Sequence, residues 1–291
     1  MTPAFTAVVV IHDSARHLEA LLRSVERHLD PAPQVVVVDS GSSDDGAEVA
    51  RAHGARVVVL DGNPGFGAAN NAGLAHAEHE VTVLLNPDCE LVDGSLAALA
   101  ARAVRGDVLA VPRLLDTDGS VQRSAHPLPG RASALLPAVW PPRAMPRRLR
   151  ERFEPWRSEA PRRVGWAIAA CVAARTDLLQ ALGPFDPGAF LFYEDLELCL
   201  RARAARVPTE LRPEVRLVHH GGHATGPTLG DRVLDLQARR RRDVIGTRLG
   251  ARALAFDDAS QALTFGARAL GGRRRAHNLS ELRALRAAKR G

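Results

Sequence analysis

The chain has 291 residues, 46% hydrophobic and 25% charged, which is the composition of a folded globular protein. Its three cysteines are too few and too scattered for a disulfide framework or a CxxC zinc site, so a reducing compartment is expected. No apolar run reaches the roughly 20 residues of a membrane span. The amino-terminal segment lacks the basic region of a signal peptide. We therefore expect it to form a first strand, and the protein to be cytoplasmic.

The charge is concentrated at one end of the chain. Residues 232–291 hold 15 Arg and Lys against 5 Asp and Glu, whereas residues 1–231 hold 24 against 28. A solvated helical face in an arginine-rich protein is one interpretation. Contact with an anionic membrane or a phosphorylated substrate is another, through Arg239–Arg242 and Arg273–Arg275. Nucleic acid is not expected to be the partner, because few aromatic side chains accompany these arginines.

The first 110 residues alternate short Val- and Leu-rich runs with stretches of helical spacing. Such runs predict strands buried on both faces, in βαβ units of a mostly parallel sheet. The predicted strands are 6–11, 34–38, 56–60, 81–85 and 108–111. Because ligands of parallel sheets bind at the carboxyl ends of the strands, candidate functional residues are expected directly after these runs.

The second half of the chain has a different character. Asp116–Ser120 predicts a hairpin turn, and residues 126–161, rich in Pro and Arg, predict a long irregular segment with short helices. Further predicted elements are a strand at 164–173, helices at 175–182 and 193–206, a strand at 210–218, and basic helices after about residue 228.

Two glycine- and polar-rich segments follow predicted strands. Asp39 ends the second strand, where a carboxylate can bind a base or ribose hydroxyl, and we favour that role over a helix cap. Asp44 and Asp45, further along the same loop, are better explained as caps. The segment 61–73 allows close approach of a ligand to the backbone, but a tight turn capped by Asn63 and Asn70 explains it equally well.

Carboxylates and histidines follow the later strands. Asn86 and Asp88 flank a stiff proline, and such an oxygen pair suits a divalent cation; an Asx turn is the alternative. Glu194 and Asp195 open a helix after an aromatic cluster, and capping and general-base roles are both open for them. The sequence HHGGH at 219–223 favours a ligand role for one of its histidines.

Taken together, these segments resemble the inverting family 2 glycosyltransferases, and within them the rhamnosyltransferase-like branch. The resemblance runs in order from Phe5 to about Thr225. The segments that carry it are VVVVDSGSSDDG, NPGFGAANNAG, LLNPDCEL, VGWAIAACVAARTDLLQALGPFDPGAFLFYEDLELCLR and VHHGGHAT. It implies an α/β protein of the GT-A fold spanning 1–225, with a nucleotide-sugar half at 1–112, an acceptor half at 113–225, and a basic helical extension at 226–291.

The resemblance also implies a function and a set of site residues. A sugar, with rhamnose suggested by the branch, would pass from a nucleotide-sugar donor to a hydroxyl of a glycan or lipid-linked acceptor in cell-envelope polysaccharide synthesis. Asp195 would be the base with Glu194 beside it, and His219, or His220 as the alternative, would join Asp88 at Mg²⁺ or Mn²⁺. Donor-binding candidates are Asp39, Asn63, Gly65, Gly67, Asn70 and Asn86.

Three features depart from the family pattern. Ile11–Asp13 replaces a Tyr-Asn-like pair, Asn86 stands where many relatives carry aspartate, and Ala169–Ala170 stands where glycine is common. A non-catalytic GT-A-like domain that binds a nucleotide sugar or a partner is the alternative function, and the presence of both Asp88 and Asp195 argues against it. A nucleotide-binding oxidoreductase is disfavoured, because the glycine-rich segment does not follow the first strand.

Overall fold

The first half of the chain forms a parallel sheet in which most strands are followed by a helix. The computed structural model describes residues 3–140, 142–183, 185–186, 192–221, 233–270 and 275–290. Strand β1 pairs in parallel with β2 on one side and with β4 on the other, and β2 pairs with β3. The elements are β1 (Phe5–Ile11), α1 (Ala15–His28), β2 (Gln34–Asp39), α2 (Gly46–Ala52), β3 (Arg56–Val59), α3 (Phe66–Leu74) and β4 (Val81–Leu85).

The second half extends this sheet with strands of both directions. The elements are β5 (Cys89–Leu91), α4 (Leu96–Val104), β6 (Leu109–Leu115), β7 (Ala125–His126), α5 (Leu136–Val139), α6 (Arg147–Phe153), β8 (Arg162–Val164), β9 (Trp166–Ala167), β10 (Cys171–Arg175), α7 (Thr176–Leu182), α8 (Glu194–Ala204) and β11 (Thr209–His219). The strand order is β3-β2-β1-β4-β10-β6-β11-β5, with β8 beside β11. Strand β10 is antiparallel to β4 and β6, whereas β6 and β11 are parallel.

The sheet is covered on both faces, as the continuous apolar runs predict. Val9 and Ile11 of β1 belong to one core cluster with α1 and α4, whereas Val8 and Val10 belong to the other, with α7 and α8. Alternate side chains of a strand point to opposite faces, so a strand between two helical layers must be apolar throughout.

The predicted hairpin is confirmed, but the single strand predicted at 164–173 is wrong. Asp116 N donates to Ser120 O at 2.8 Å and closes the turn. Residues 162–175 instead form three strands, because the chain bends at Gly165 to pair β9 with β7. A Cβ at Gly165 would lie 2.0 Å from Leu128 N, so only glycine allows this approach.

Three helices form the carboxyl-terminal extension: α9 (Val233–Leu249), α10 (Ala251–Leu270) and α11 (Arg275–Arg290). They pack on one another, and α9 also packs against α8. Val244 and Ile245 are buried in the same core cluster as α8. The extension therefore shares a core with α8; the boundary predicted at 225/226 lies outside the described residues.

Two members of the segment Arg239–Arg242, which was predicted to suit an anionic membrane, are instead paired within the protein. Arg241 donates from Nε and from Nη2 to the carboxylate of Asp257, each at 2.8 Å. Arg242 pairs with Asp258. Both aspartates are buried. Buried carboxylates require such partners, because an unpaired buried charge costs several kcal/mol. Within the described ranges, no helix is long and apolar enough to cross a membrane.

Candidate active site

Asp39 lies buried at the tip of β2, at the carboxyl edge of the parallel strands. Its Oδ1 accepts a hydrogen bond from the backbone N–H of Ser42 at 2.9 Å, and so shapes the following loop. Its Oδ2 receives no hydrogen bond from the described residues. Asp44 supports the neighbouring loop: its Oδ2 accepts the N–H of Ala15 at 2.8 Å, at the start of α1. The carboxylate of Asp39 therefore combines a loop-forming oxygen with one that can receive a hydroxyl or base N–H.

The segment after β3 is a tight turn built around Asn63. Its Oδ1 accepts hydrogen bonds from Ser40 Oγ at 3.2 Å and from Gly65 N at 3.0 Å. Gly65 has a φ of 96°, a conformation that favours glycine, and precedes α3. Gly41 crosses this turn so closely that a Cβ on it would lie 2.9 Å from Gly62 C. The predicted tight turn is therefore present, and it holds the loops after β2 and β3 together.

Gly67 and Asn70, also predicted to bind the donor, contribute to packing of α3. A Cβ at Gly67 would lie 2.8 Å from Phe185 Cβ. The amide of Asn70 is buried and donates to Phe66 O of its own helix at 2.9 Å. Sequence reasoning missed Asn71, whose amide both donates to Phe185 O and accepts from Phe185 N. Asn71 thereby links α3 to the segment that leads toward α8, a contact across 114 positions that carries no local sequence signal.

Asp88 and His219 meet at the end of β4, across the pairing of β5 with β11. Asp88 Oδ1 lies 3.4 Å from His219 Nε2, and Asp88 Oδ2 accepts the N–H of Gly221 at 3.0 Å. Burial opposes ionisation of Asp88, but its hydrogen bond with His219 and the histidine charge outweigh burial and lower its pKa. The side chain is therefore held as a carboxylate.

The structure distinguishes the two neighbouring histidines. His219 faces Asp88, whereas His220 Nε2 lies 2.7 Å from Glu90 Oε1. Successive residues of an extended strand point in opposite directions, so only one of the two can face Asp88. His223, the third histidine of the motif, lies outside the described residues.

The donor atoms near Asp88 fit a divalent cation. Asn86 Oδ1 is buried and has no hydrogen-bond partner within the part of the chain that the structure describes. Such an orphaned oxygen is costly unless a ligand satisfies it. The Cys89 sulfur also lies within 4.8 Å of the Asp88 and His219 donor atoms. Burial raises the pKa of this thiol well above its ordinary value, and it donates to Ala170 O, so we assign it to the core.

Glu194 and Asp195 form a half-buried carboxyl pair at the start of α8. Asp195 Oδ1 accepts the N–H of Leu196 at 2.6 Å, and Glu194 Oε2 is buried without a partner among the described residues. Burial is the main cause that raises the pKa of both carboxyls, and the charge of Asp195 raises that of Glu194 further. The N-cap position of α8 is Tyr193, and its side chain forms no cap hydrogen bond, so neither carboxyl occupies the N-cap. The pair thus suits proton transfer better than helix capping.

Strained backbone and aromatic side chains lie directly before the Glu194–Asp195 pair. Tyr193, directly before α8, has a φ of 59°, and Phe192 has a φ of 70°. Left-handed backbone at bulky residues is costly and concentrates at functional sites. The Tyr193 ring lies 6.2 Å from that of Trp166, which sequence reasoning missed. Of the predicted aromatic cluster, Phe185 is a core residue and Phe190 lies outside the described residues.

Ala169 and Ala170 connect the two centres. Ala170 O accepts the N–H of Asn86 at 2.8 Å, beside the Asp88 site. The backbone N–H of Ala169 faces Asp195 and favours its ionised form. Both alanines are buried, and the segment leads into β10, which lies between β4 and β6. The carboxyl pair and the Asp88 site therefore share one edge of the sheet.

Comparisons with known proteins identify the family to which this fold belongs. The sequence profile of Glycosyl transferase family 2 matches residues 6–166. The chain is 31% identical over 247 residues to the N-acetylglucosaminyl-diphospho-decaprenol L-rhamnosyltransferase of Mycobacterium tuberculosis, covering 78% of this chain and 79% of that protein. It is 22% identical over 196 residues to the low-salt glycan biosynthesis hexosyltransferase Agl10 of Haloferax volcanii, covering 64% of this chain and 58% of that protein.

Solved structures share the fold at low identity. GalNAc-T7 with UDP, GalNAc and Mn²⁺ superposes with a TM-score of 0.64 at 17% identity, covering 97% of this chain and 55% of that one. The mannosyltransferase PcManGT of Pyrobaculum calidifontis, with GDP-Man and Mn²⁺, gives 0.57 at 16% identity, covering 99% and 86%. These likenesses confirm the predicted GT-A fold. Together with the profile match and the mycobacterial relative, they show that this chain belongs to glycosyltransferase family 2, in its rhamnosyltransferase-like branch.

Proposed function

We propose that this glycosyltransferase moves a sugar from a nucleoside-diphosphate donor to a hydroxyl of a lipid-linked, diphosphate-bearing acceptor, with inversion at the anomeric carbon. The observation that carries the proposal is the placement of two centres at one sheet edge. One is the Asp88–His219 pair, and the other is the half-buried Glu194–Asp195 pair. Ala169 and Ala170 hold them in a fixed relation. Displacement at the anomeric carbon needs a site that neutralises the negative charge on the departing diphosphate. It also needs a base that takes the proton of the acceptor hydroxyl.

The donor is proposed to bind at the carboxyl ends of β1 to β4. The carboxylate of Asp39 would receive a base or ribose donor, and the turn formed by Asn63 and Gly65 brings backbone close to the nucleotide. Gly67 and Asn70 would act indirectly, by holding α3 in place. His12 stands where the family carries a different pair, and its Nδ1 lies 2.9 Å from Ser40 O. His12 therefore contacts the loop that follows Asp39 and supports it through Ser40.

Asp88, His219 and the orphaned Asn86 Oδ1 are the groups proposed to hold Mg²⁺ or Mn²⁺. Oxygen ligands with one imidazole suit either ion. A bound divalent cation would neutralise charge on the departing diphosphate. Gln122 and Gly221 would then orient the ligands, as partners behind metal ligands commonly do.

Asp195 is proposed to take the proton of the acceptor hydroxyl. As the hydroxyl oxygen forms its bond to the anomeric carbon, the bond from that carbon to the diphosphate oxygen breaks, and the proton moves to the carboxylate. The N–H groups of Leu196 and Ala169 favour the ionised form of Asp195, whereas Glu194 Oε2 has no such donor. This difference makes Asp195 the better base and leaves Glu194 to contact the acceptor.

The sugar and acceptor are proposed from the mycobacterial relative. Its name specifies transfer of L-rhamnose to N-acetylglucosaminyl-diphospho-decaprenol, and the similarity covers 78% of this chain. We therefore propose a deoxyhexose donor of the rhamnose type and a polyprenyl-diphosphate acceptor in cell-envelope polysaccharide synthesis. Peripheral contact with anionic membrane would follow from such an acceptor. A non-catalytic binding domain is the weaker alternative, because it would not need two poised carboxyls.

A donor screen tests the proposal. Purified enzyme is incubated with nucleotide sugars and a short-chain N-acetylglucosaminyl-diphospho-lipid, with Mg²⁺, Mn²⁺ or EDTA. We expect release of nucleoside diphosphate and a glycosylated lipid with one donor, and loss of both with EDTA. Donor binding without transfer to any hydroxyl, across the full screen, would favour the binding domain instead.

A further inference from the structure

Helix α9 places one side of its basic stretch over the carboxyl pair. Val244, Ile245 and Arg248 lie on the side of α9 that packs inward, with Arg248 paired to Glu197 of α8. The Arg241 guanidinium carbon lies 5.5 Å from the centre of the Tyr193 ring. Residues four apart lie on one side of a helix, so Arg240 belongs to the inward side with Val244. The extension thus contributes side chains next to Tyr193 and Glu194.

Arg240 differs from Arg241 and Arg242 in having no partner among the described residues. Arg241 and Arg242 are bound by the aspartates of α10, as described above. Arg240 is half-buried with its Nε fully enclosed, and its guanidinium forms neither a hydrogen bond nor an ion pair with the described residues. Its charge reaches the Glu194 carboxyl, whose ionised form it favours against burial. An unsatisfied donor and an unsatisfied acceptor, Glu194 Oε2, therefore lie on the same side of the site.

Such an arrangement is costly unless a ligand completes it. A buried polar group without a partner destabilises the protein, and a charged group does so more strongly. A guanidinium presents a planar set of N–H donors that matches a phosphate oxygen pair, whereas a carboxyl suits a sugar hydroxyl. A phosphorylated sugar offers both groups in one molecule.

We propose that Arg240 binds a phosphate of the acceptor diphosphate, so that the carboxyl-terminal extension forms part of the acceptor site. The inference deepens the function proposed above and rests on it for the acceptor class. It accounts for Arg240 lying on the inward side of α9 next to Glu194. It also separates Arg240 from Arg239, which is exposed and has no ion pair with the described residues.

Arg240→Gln and the matched control Arg239→Gln test the proposal. Transfer is measured to two acceptors with the same sugar: one linked to a short lipid through diphosphate, the other a neutral alkyl glycoside. We expect Arg240→Gln to raise KM for the diphosphate acceptor about 10- to 100-fold, the range for losing charge-assisted hydrogen bonds. The neutral acceptor should be used equally by wild type and variant, and Arg239→Gln should match wild type with both acceptors.

Three outcomes would overturn the proposal. Arg240→Gln could leave KM for the diphosphate acceptor unchanged. It could lower transfer to both acceptors equally, which would indicate a structural role. It could instead weaken donor affinity in a calorimetric titration, which would assign Arg240 to the donor. Failure of the wild-type enzyme to transfer to either acceptor, with intact donor binding, would count against the proposed function itself.

Discussion

His219 Nδ1 lies 2.9 Å from Gln122 Oε1, across 97 positions of the chain. Gln122 Nε2 donates to Asp116 Oδ1 at 2.9 Å and lies 3.4 Å from His219 O, so its Oε1 must face the imidazole. An oxygen at that position accepts a hydrogen bond from the Nδ1–H group. Nε2 then faces Asp88, to which it donates when the imidazole is protonated, and it is free to coordinate a cation when the imidazole is neutral. The predicted hairpin at 116–120 therefore sets the tautomer of the proposed metal ligand.

Replacing Gln122 should weaken metal binding without removing a ligand. For Gln122→Leu we expect Mn²⁺ affinity to fall about 10- to 100-fold, the usual cost of losing a residue that orients a metal ligand. Gln122→Glu keeps the acceptor oxygen and should retain most of the affinity. Calorimetric titration of Mn²⁺ into donor-free enzyme measures both. Equal affinities of Gln122→Leu and wild type would show that His219 is oriented without Gln122.

Asp88→Ala should abolish metal-dependent donor binding. The carboxylate is the one ionised oxygen group among the proposed ligands, and neutral groups cannot replace its charge at a divalent cation. Donor binding is measured by calorimetry with Mn²⁺ and with EDTA. We expect the Mn²⁺-dependent part of the affinity to disappear in the variant. Glu90→Gln is the control, since Glu90 pairs with His220 on the other side of the strand.

Asp195→Asn should reduce turnover about 10²- to 10⁴-fold, the typical contribution of a general base. Asparagine keeps the size of the side chain but cannot take the acceptor proton. Donor affinity should be unchanged, because Asp88 and the loops after β1 to β4 are the groups proposed to bind the donor. Glu194→Gln should cost less. Single-turnover transfer measured beside donor titration separates the two variants, and a larger loss in Glu194→Gln would exchange the roles of the two carboxyls.

The rate should depend on pH through the same pair. Burial raises the pKa of both carboxyls. A base is active only when ionised, so activity is full above its raised pKa and is lost as the pH falls through it. Ordinary carboxyl groups titrate near pH 4. We therefore expect the acid limb of kcat to lie at a higher pH than that. Replacing Asp195 should remove that limb from the residual activity, whereas a limb near pH 4 in the wild type would contradict a buried base.

The extension should bind anionic vesicles through residues that the fold leaves free. Arg239, Arg283 and Arg286 are exposed and form no ion pair with other described residues. Flotation with vesicles containing anionic lipid should weaken as salt rises, because exposed charges are screened within about 8–10 Å at roughly 0.1–0.15 M. Arg283→Gln with Arg286→Gln should weaken it further. Equal flotation with neutral vesicles would exclude an electrostatic contact.

The ends of strands β1 to β4 could be predicted from the sequence, because they depend on the local pattern of apolar residues. Short apolar runs predicted β1 to β4 nearly to the residue, and the carboxyl-end rule placed Asp39, Asn86 and Asp88 at one edge. The order of polar segments along the chain was enough to predict the family, which the profile match and the mycobacterial relative confirm. Both signals are carried by residues close together in sequence.

The partners of these residues depend on contacts between distant segments. Which histidine faces Asp88 follows from the register of β11 on β5, and the tautomer follows from Gln122. The roles of Arg240 and Arg241 follow from how α9 packs on α8 and α10, which a run of four arginines does not indicate. Side-chain direction and burial are set by packing across the fold, so residue type and spacing determined which groups were available, and only the tertiary structure decided which of them meet.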